Sequence, residues 1–319
     1  MRIIGTGSAV PHLRINNNEL SEFLDTSDEW IRTRTGIIER RILTDEPLED
    51  LAAQACMQAL EQAGLTAGQI DYILCSNVIN SYVTPALSCI VQGKIGAACP
   101  CLDLNGACAG FLYALEMAEA YLKMGKCHHI LVVAAECPSR MVNWQDRATC
   151  VLFGDGAAAA VVSAGGEDAA FRMFTSCDTQ VLHSHHASGN CPYVSPAIPA
   201  SPLHMNGQEV YKFAVSRATE DIRALCAEQG LELCRIGHFI LHQANLRILE
   251  AVRTRLKQPP EKFPHNVEKY GNTSSAGIAI LLDELNRNGT LENGEYLAMS
   301  AFGAGLTSGA CILKWDLQG

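Results

Sequence analysis

The sequence predicts an α/β protein made of two similar halves, each a mostly parallel sheet faced by helices. Helix-type and strand-type apolar patterns alternate along the chain, as they do where parallel strands are joined by helical crossovers. A faint internal repeat links the halves. Leu60-Glu61-Gln62-Ala63-Gly64-Leu65 leads into Ile70-Asp71-Tyr72-Ile73-Leu74. Glu228-Gln229-Gly230-Leu231 leads into Ile236-Gly237-His238-Phe239-Ile240-Leu241 at almost the same spacing. Each copy reads as a helix end, a glycine stop, a short turn and a buried strand. Phe153-Gly154-Asp155-Gly156, before residues 157–164, and Phe302-Gly303-Ala304-Gly305, before residues 306–315, repeat a Gly-rich bend entering a strand. Ala164-Gly165-Gly166 marks the boundary, giving halves 1–165 and 166–319.

Apolar positions at Leu51, Ala55, Ala59 and Leu60 predict a helix over 51–63. Residues 99–104 predict a short strand. Phe111, Leu112, Leu115, Ala118 and Leu122 share one face of a helix over 108–124, with Gly125 as its stop. Residues 130–135 form an apolar β-type run, and 213–225 read as helical. Leu246, Leu249, Val252 and Leu256 predict a helix after Asn245, and Ile278, Leu281, Leu282 and Leu285 another after Asn272-Thr273-Ser274-Ser275. The stretch 182–208 breaks this rhythm with Pro192, Pro196, Pro199 and Pro202. Apolar character returns at Leu203, Met205 and Val210, so it reads as a functional cover.

At 319 residues and 48% hydrophobic, the chain can build a large core or two lobes. No apolar run reaches the length of a membrane span, and the start lacks a signal-peptide pattern. The expectation is a cytoplasmic protein without a membrane partner. Fourteen cysteines in a chain this long do not make a small disulfide scaffold. Many sit in apolar runs, as Cys75 and Cys311 do, where a thiol acts as a small hydrophobe. Cys99-Pro100-Cys101, His128-His129 and His183-Ser184-His185-His186 lack the paired C-x2-C spacing of zinc sites, so no metal is expected. A net charge of -10 disfavours nucleic acid. Basic residues still cluster at Arg32, Arg34, Arg40 and Arg41, and at Lys212, Arg247, Arg253, Arg255 and Lys257. By charge alone these are solvated faces.

Three side chains carry candidate chemistry. Cys108 sits in Gly106-Ala107-Cys108-Ala109-Gly110, at a strand-to-helix bend. A helix N-terminus offers free N–H groups and a positive dipole end, which favour a thiolate and can hold an oxyanion. His242 closes an apolar run, at the strand end where α/β sheets gather their chemistry. Asn272 follows Gly271 ahead of a helix. Each has a plainer reading: a buried cysteine, a polar strand end, a helix cap. Their joint occurrence suggests a Cys-His-Asn set that takes up an acyl group and polarises a second thioester.

These strings resemble β-ketoacyl-acyl-carrier-protein synthase III, in the thiolase-like superfamily, nearly end to end. The marks are Ile4-Gly5-Thr6-Gly7-Ser8, Thr26-Ser27-Asp28-Glu29-Trp30-Ile31, Thr33-Arg34-Thr35-Gly36-Ile37, the Cys108 elbow, Phe153-Gly154-Asp155-Gly156-Ala157, His242-Gln243-Ala244-Asn245 and Gly271-Asn272-Thr273-Ser274. The resemblance implies a five-layered α/β/α/β/α fold with two pseudo-symmetric halves, and a homodimer. It implies Cys108 as the acyl acceptor, His242 and Asn272 as the decarboxylating pair, and the backbone N–H groups of Cys108 and Ala304 as oxyanion donors. Trp30, Arg34 and Arg147 would hold the coenzyme A nucleotide, and Asn245 would line the pantetheine tunnel. Lys212 and Arg247 would receive the acyl carrier protein, whose acidity gives the basic clusters a use. No cofactor is implied; acyl-coenzyme A and malonyl-acyl-carrier protein are substrates.

Three positions depart from the family pattern. Ala304 stands where glycine is usual, and Ser308 replaces a bulkier residue. Thr84 stands where many relatives carry an aromatic that closes the acyl pocket across the dimer, so a starter larger than acetyl is expected. Two further functions fit the residues: a starter-loading or acyl-transfer enzyme of secondary metabolism, and a non-catalytic scaffold that binds acyl carriers.

Overall fold

The computed structural model describes residues 1–186 and 200–317. Pro192, Pro196 and Pro199, on which the expected cover partly rests, lie outside the described residues. The strands in chain order are β1 (Arg2–Ala9), β2 (Leu13–Asn16), β3 (Glu39–Ile42), β4 (Tyr72–Ser76), β5 (Cys101–Leu104), β6 (His129–Glu136), β7 (Gly156–Ser163), β8 (Ala170–Asp178), β9 (Leu182–His185), β10 (Ser201–Met205), β11 (Ile236–Leu241), β12 (Tyr296–Gly303) and β13 (Gly305–Lys314). One sheet has the order β1-β7-β6-β4-β5, the other β11-β12-β13-β8. Strands β6, β4 and β5 run parallel to one another in the first sheet, as do β11 and β12 in the second, but β7 is antiparallel to β1 and β6, and β13 to β12 and β8, so the sheets are mixed where mostly parallel ones were expected.

The fold is five-layered α/β/α/β/α. Helix Leu48–Ala63 covers the outer face of the first sheet, against β1 and β7. Helix Gly207–Glu228 covers the second sheet, on β12 and β13. Between the sheets lie helices Gly110–Lys123 and Ala276–Arg287, each touching strands of both. Strand β7 shows why the layers fit so closely. Its sequence is GAAAAVVS and every residue is buried. Small side chains on both faces let a helix layer settle on each side. At Gly7 in β1, a Cβ would run into the Ala55 carbonyl oxygen, so glycine there sets how near the outer helix can come.

The internal repeat has a physical form. Gly64 and Gly230 end their helices with φ of +65° and +61°. Leu65 N–H then bonds back to Leu60 and Leu231 N–H to Cys226. A short 3-10 turn follows in each, Ala67–Gln69 and Leu233–Arg235, and then β4 and β11.

Three local expectations need correction. The helix after the nucleophile starts at Gly110; residues 107–109 form a 3-10 turn, so Cys108 precedes the α-helix. The Gly-rich bend expected at 302–305 is present, turning at Ala304 into β13. Strand β12 runs through Gly303 and pairs tightly back on β13, with Gly303 opposite Thr307. The helix expected over 213–225 begins at Gly207, because the Asn206 side chain caps it by accepting from Glu209 N–H at 3.3 Å. The stretch 182–208 contains a two-stranded ribbon, β9 against β10, with His204 opposite His183. No helix among the described residues is long and apolar enough to cross a membrane.

Candidate active site

Strand β5 delivers the nucleophile elbow. Just past its end, Asn105 Oδ1 accepts the Ala107 N–H at 3.1 Å. That bond holds Ala107 at φ +48°, a left-handed conformation unusual for a residue with a Cβ. The reversal turns Cys108 out ahead of the helix. Ala109 N–H closes the turn on the Gly106 carbonyl at 3.1 Å, and Thr307 Oγ1 donates to the same oxygen at 3.3 Å. Gly110 must be glycine, since a Cβ would collide with Ser76 Oγ.

The Cys108 sulfur accepts a hydrogen bond from Ser274 Oγ at 3.4 Å. Burial pushes the thiol up to about 12, and the nearby Glu136 carboxyl adds to the rise, against the Ser274 bond. This corrects the expectation of a thiolate favoured at rest. Burial disfavours the charged form of the sulfur, so the thiol must lose its proton during reaction.

His242 follows β11 directly. Its N–H bonds to the Ser300 carbonyl at 2.8 Å, and its side chain is buried. The ring meets Phe302 edge-on at 5.1 Å. Burial lowers the imidazole to about 3, so it is neutral at physiological pH. Gln243 fixes the following loop: its amide donates to the Leu241 carbonyl at 2.7 Å and accepts Asn266 N–H at 3.0 Å.

Asn272 is clamped by its backbone, not used as a helix cap. Its N–H bonds to the Leu152 carbonyl at 2.8 Å, and its carbonyl accepts Gly154 N–H at 3.1 Å. Its side-chain oxygen accepts Ser274 N–H at 2.9 Å, which leaves the amide NH2 as its donor. Cys108, His242 and Asn272 line one cavity of about 170 Å³, with Ser274, Phe302 and Ala304 beside them. Elements from both sheets therefore meet at one pocket. The ribbon supplies Leu182, Leu203 and Met205 to its apolar wall.

The remaining predicted residues divide. Asn245 lines the cavity, caps helix Leu246–Leu256, and donates from Nδ2 to the Arg34 carbonyl at 3.1 Å. Trp30 carries two guanidinium groups on its ring, Arg34 at 4.5 Å and Arg147 at 5.1 Å. Arg147 is also tied to the Asp25 carboxylate at 3.2 Å. Trp30, Arg34, Arg147 and Asn245 thus form one linked group. Lys212 and Arg247 are exposed, with Lys212 paired to Glu209 at 2.7 Å. Thr84 does not line the cavity of the single chain. It lies on an exposed turn beside Tyr82 and the fully exposed Val83. Ser308 donates to the buried Asp221 carboxylate at 3.0 Å, which also takes Arg217 at 2.7 Å and Arg172 at 3.2 Å. The small residue there belongs to an ion cluster.

Three neighbours escaped the sequence reading: Ser274 on the sulfur, Phe302 on the imidazole, and Glu136. Each stood in the sequence without an assigned role: Ser274 closes Gly271-Asn272-Thr273-Ser274, Phe302 opens the second Gly-rich string, and Glu136 ends the apolar run 130–135. Their contacts join distant segments.

Comparisons with known proteins place the whole chain among its relatives. A family model described as 3-oxoacyl-[acyl-carrier-protein] synthase III matches residues 102–180, and one for the C-terminal part of that enzyme matches residues 226–315. The chain is 40% identical over 320 residues to a β-ketoacyl-[acyl-carrier-protein] synthase III of Clostridium acetobutylicum, spanning 99% of this chain and 98% of that one. The crystal structure of 3-oxoacyl-[acyl-carrier-protein] synthase III from Aquifex aeolicus overlaps with a TM-score of 0.91 at 38% identity, over 98% of this chain and 99% of the other. A priming β-ketosynthase from a polyketide biosynthetic pathway also overlaps with a TM-score of 0.91, at 34% identity, over 99% and 96% of the two chains.

Proposed function

The chain belongs to the 3-oxoacyl-[acyl-carrier-protein] synthase III family, and from that premise we propose how its own residues carry out the condensation that starts a fatty acid. It is an acyltransferase that joins an acyl-coenzyme A starter to malonyl-acyl-carrier protein. Cys108 attacks the starter thioester, and coenzyme A leaves. The backbone N–H groups of Cys108 and Ala304 receive the charge of the tetrahedral oxyanion. Malonyl-carrier then enters the vacated cavity. His242 and Asn272 donate to its thioester carbonyl, so loss of carbon dioxide leaves a stabilised enolate. That carbon attacks the acyl group on Cys108, giving a 3-oxoacyl carrier and a free cysteine. The sequence is ping-pong. The observation that carries this reading is the single narrow cavity shared by Cys108, His242 and Asn272. A neutral imidazole supports the assigned role, since it keeps one N–H and adds no buried charge before the reaction begins.

Recognition follows the same logic. The adenine base stacks on Trp30, which requires a guanidinium to swing off the ring and turn towards phosphate. Arg34 and Arg147 are the groups placed to do so. Lys212 and Arg247 give a negative protein a local positive landing site for an acidic carrier. The active form is a homodimer working in the cytoplasm, where its many thiols stay reduced. In that dimer Thr84 reaches the partner's acyl pocket and admits a starter longer than acetyl. The first half-reaction transfers an acyl group and the second decarboxylates and joins two carbons, with no external oxidant or reductant, so the proposed cycle uses no metal or redox cofactor.

Incubation with acetyl-, isobutyryl- and octanoyl-coenzyme A plus malonyl-carrier tests this. The reading requires a 3-oxoacyl carrier, formed faster from the longer starters. Transfer of the acyl group to a different acceptor would favour a role in secondary metabolism, a reading kept open by the likeness to the polyketide priming enzyme. A protein that gains no acyl mass is a scaffold.

A further inference from the structure

Ser274 occupies a backbone position better suited to glycine. Its φ is +53°, in the left-handed region that a residue with a Cβ adopts at a cost. The backbone is held there on both sides. Ser274 N–H donates to Asn272 Oδ1 at 2.9 Å, and its carbonyl accepts Gly277 N–H at 3.3 Å. The hydroxyl is not used on the helix that follows. Ser275 takes the cap position of helix Ala276–Arg287 and makes no side-chain cap bond, while Ser274 Oγ donates to the Cys108 sulfur at 3.4 Å. Ser274 is 5% exposed and lines the cavity that holds Cys108, His242 and Asn272. A buried hydroxyl on a strained backbone is thus aimed at an atom that gains negative charge in both half-reactions.

We propose that Ser274 is a further catalytic residue, whose hydroxyl stabilises the Cys108 sulfur when it attacks the starter and again when it leaves the acyl group. The proposal rests on Cys108 being the acyl acceptor. The contact discriminates between states by its chemistry. A thiol or thioester sulfur is a weak acceptor, whereas a thiolate draws the same O–H into a stronger, charge-assisted bond. The hydroxyl therefore helps most where the sulfur is most negative, between the stable states of the cycle. In the roles assigned above, His242 and Asn272 face the malonyl carbonyl, and the N–H groups of Cys108 and Ala304 face the oxyanion. Ser274 attends the sulfur itself.

Ser274 keeps its own proton throughout. In acylation the Cys108 S–H bond breaks and the sulfur bonds to the acyl carbon. The carbon–sulfur bond to coenzyme A breaks, and the proton ends on the coenzyme A thiol. In condensation, loss of carbon dioxide supplies the electron pair of the new carbon–carbon bond. The bond from the acyl carbon to Cys108 breaks, and the departing thiolate takes one proton from solvent. Burial opposes negative charge on the sulfur at both points, and the Ser274 hydrogen bond works against that opposition.

Two substitutions separate the hydroxyl from the backbone. Ser274→Ala removes Oγ but keeps the N–H on Asn272 and the unfavourable φ. Ser274→Gly also removes Oγ and relieves the φ. The test is the rate at which iodoacetamide alkylates Cys108, followed by peptide mass between about pH 6 and pH 9, because the thiolate is the reactive form. Both substitutions open space at the sulfur, so a slower reaction reads lost charge stabilisation and not lost access. Each variant should alkylate about tenfold more slowly than wild type across that range. Single-turnover acylation by octanoyl-coenzyme A and discharge by malonyl-carrier should both slow by about the same factor. Should Ser274→Ala fail to fold, Ser274→Gly decides. Alkylation at the wild-type rate in either folded variant overturns the role, as does slowing confined to one half-reaction. A wild type that alkylates at Cys108 yet never carries acyl there would instead remove the assignment on which the role of Ser274 stands.

Discussion

A Cβ placed on Gly303 would stand 2.6 Å from the Cys108 backbone nitrogen. The turn between β12 and β13 is therefore pressed directly onto the nucleophile elbow. Cys108 N–H and Ala304 N–H flank this contact, so it fixes the spacing of the two assigned oxyanion donors. Gly303→Ala must move the turn or the elbow. We expect a stability loss of about 1–3 kcal/mol. We also expect a larger effect on chemistry, with acyl-enzyme formation slowed about a hundredfold or more. Denaturant titration alongside a rapid-quench acylation assay separates the two effects.

His242→Ala and Asn272→Ala should each still acylate Cys108. Decarboxylative condensation should fall about 10²–10³-fold in each, the usual loss on removing one preorganised donor. Single-turnover measurements of each half-reaction check this. Loss of acylation ahead of condensation in either variant would reverse the division of roles.

Trp30→Ala should raise KM for acyl-coenzyme A about tenfold and leave kcat nearly unchanged. In the proposed binding mode the ring holds a remote part of the substrate, which would contribute equally to the ground and transition states. A fall in kcat with constant KM would place Trp30 elsewhere in the mechanism.

Two buried groups should tilt stability with pH in ways that their variants remove. His242 sits at about 3, against 6.5 for a free imidazole. As pH falls below 6.5, the unfolded chain gains a proton that the folded chain refuses, so stability is lost towards pH 3. Glu136 sits at about 7, against 4.5 for a free carboxyl. Between those values the folded chain holds a proton that the unfolded chain has released, so stability declines as pH rises. His242→Gln should soften the first slope and Glu136→Gln the second. Urea unfolding at a series of pH values reads both.

Much of the fold was legible because its signals are local. The glycine stops at Gly64 and Gly230 and the apolar runs at β4 and β11 carry the repeat without any tertiary information. Cys108, His242 and Asn272 were legible as motifs, each flanked by small or turn-forming residues. What stayed hidden depends on tertiary contact. The positive φ of Ala107 is imposed by the Asn105 side chain and cannot be read from an alanine. Ser274 lies far from Cys108 in sequence and meets it only in the folded chain, as Glu136 meets Ser275. The raised thiol reflects burial, which no local pattern around Cys108 reveals. Ser308 drew no interpretation as a sequence departure; it became intelligible through the Asp221 carboxylate and its two arginines.

The most direct measurement follows one acyl group through the protein. Wild type is mixed with octanoyl-coenzyme A, its mass is recorded, the modified peptide is located, and malonyl-carrier is then added. The account predicts one octanoyl group on Cys108, none on Cys108→Ala, and discharge of that group as a 3-oxoacyl carrier with carbon dioxide released. Acyl mass on another cysteine, or an acyl-Cys108 that malonyl-carrier leaves untouched, would contradict it.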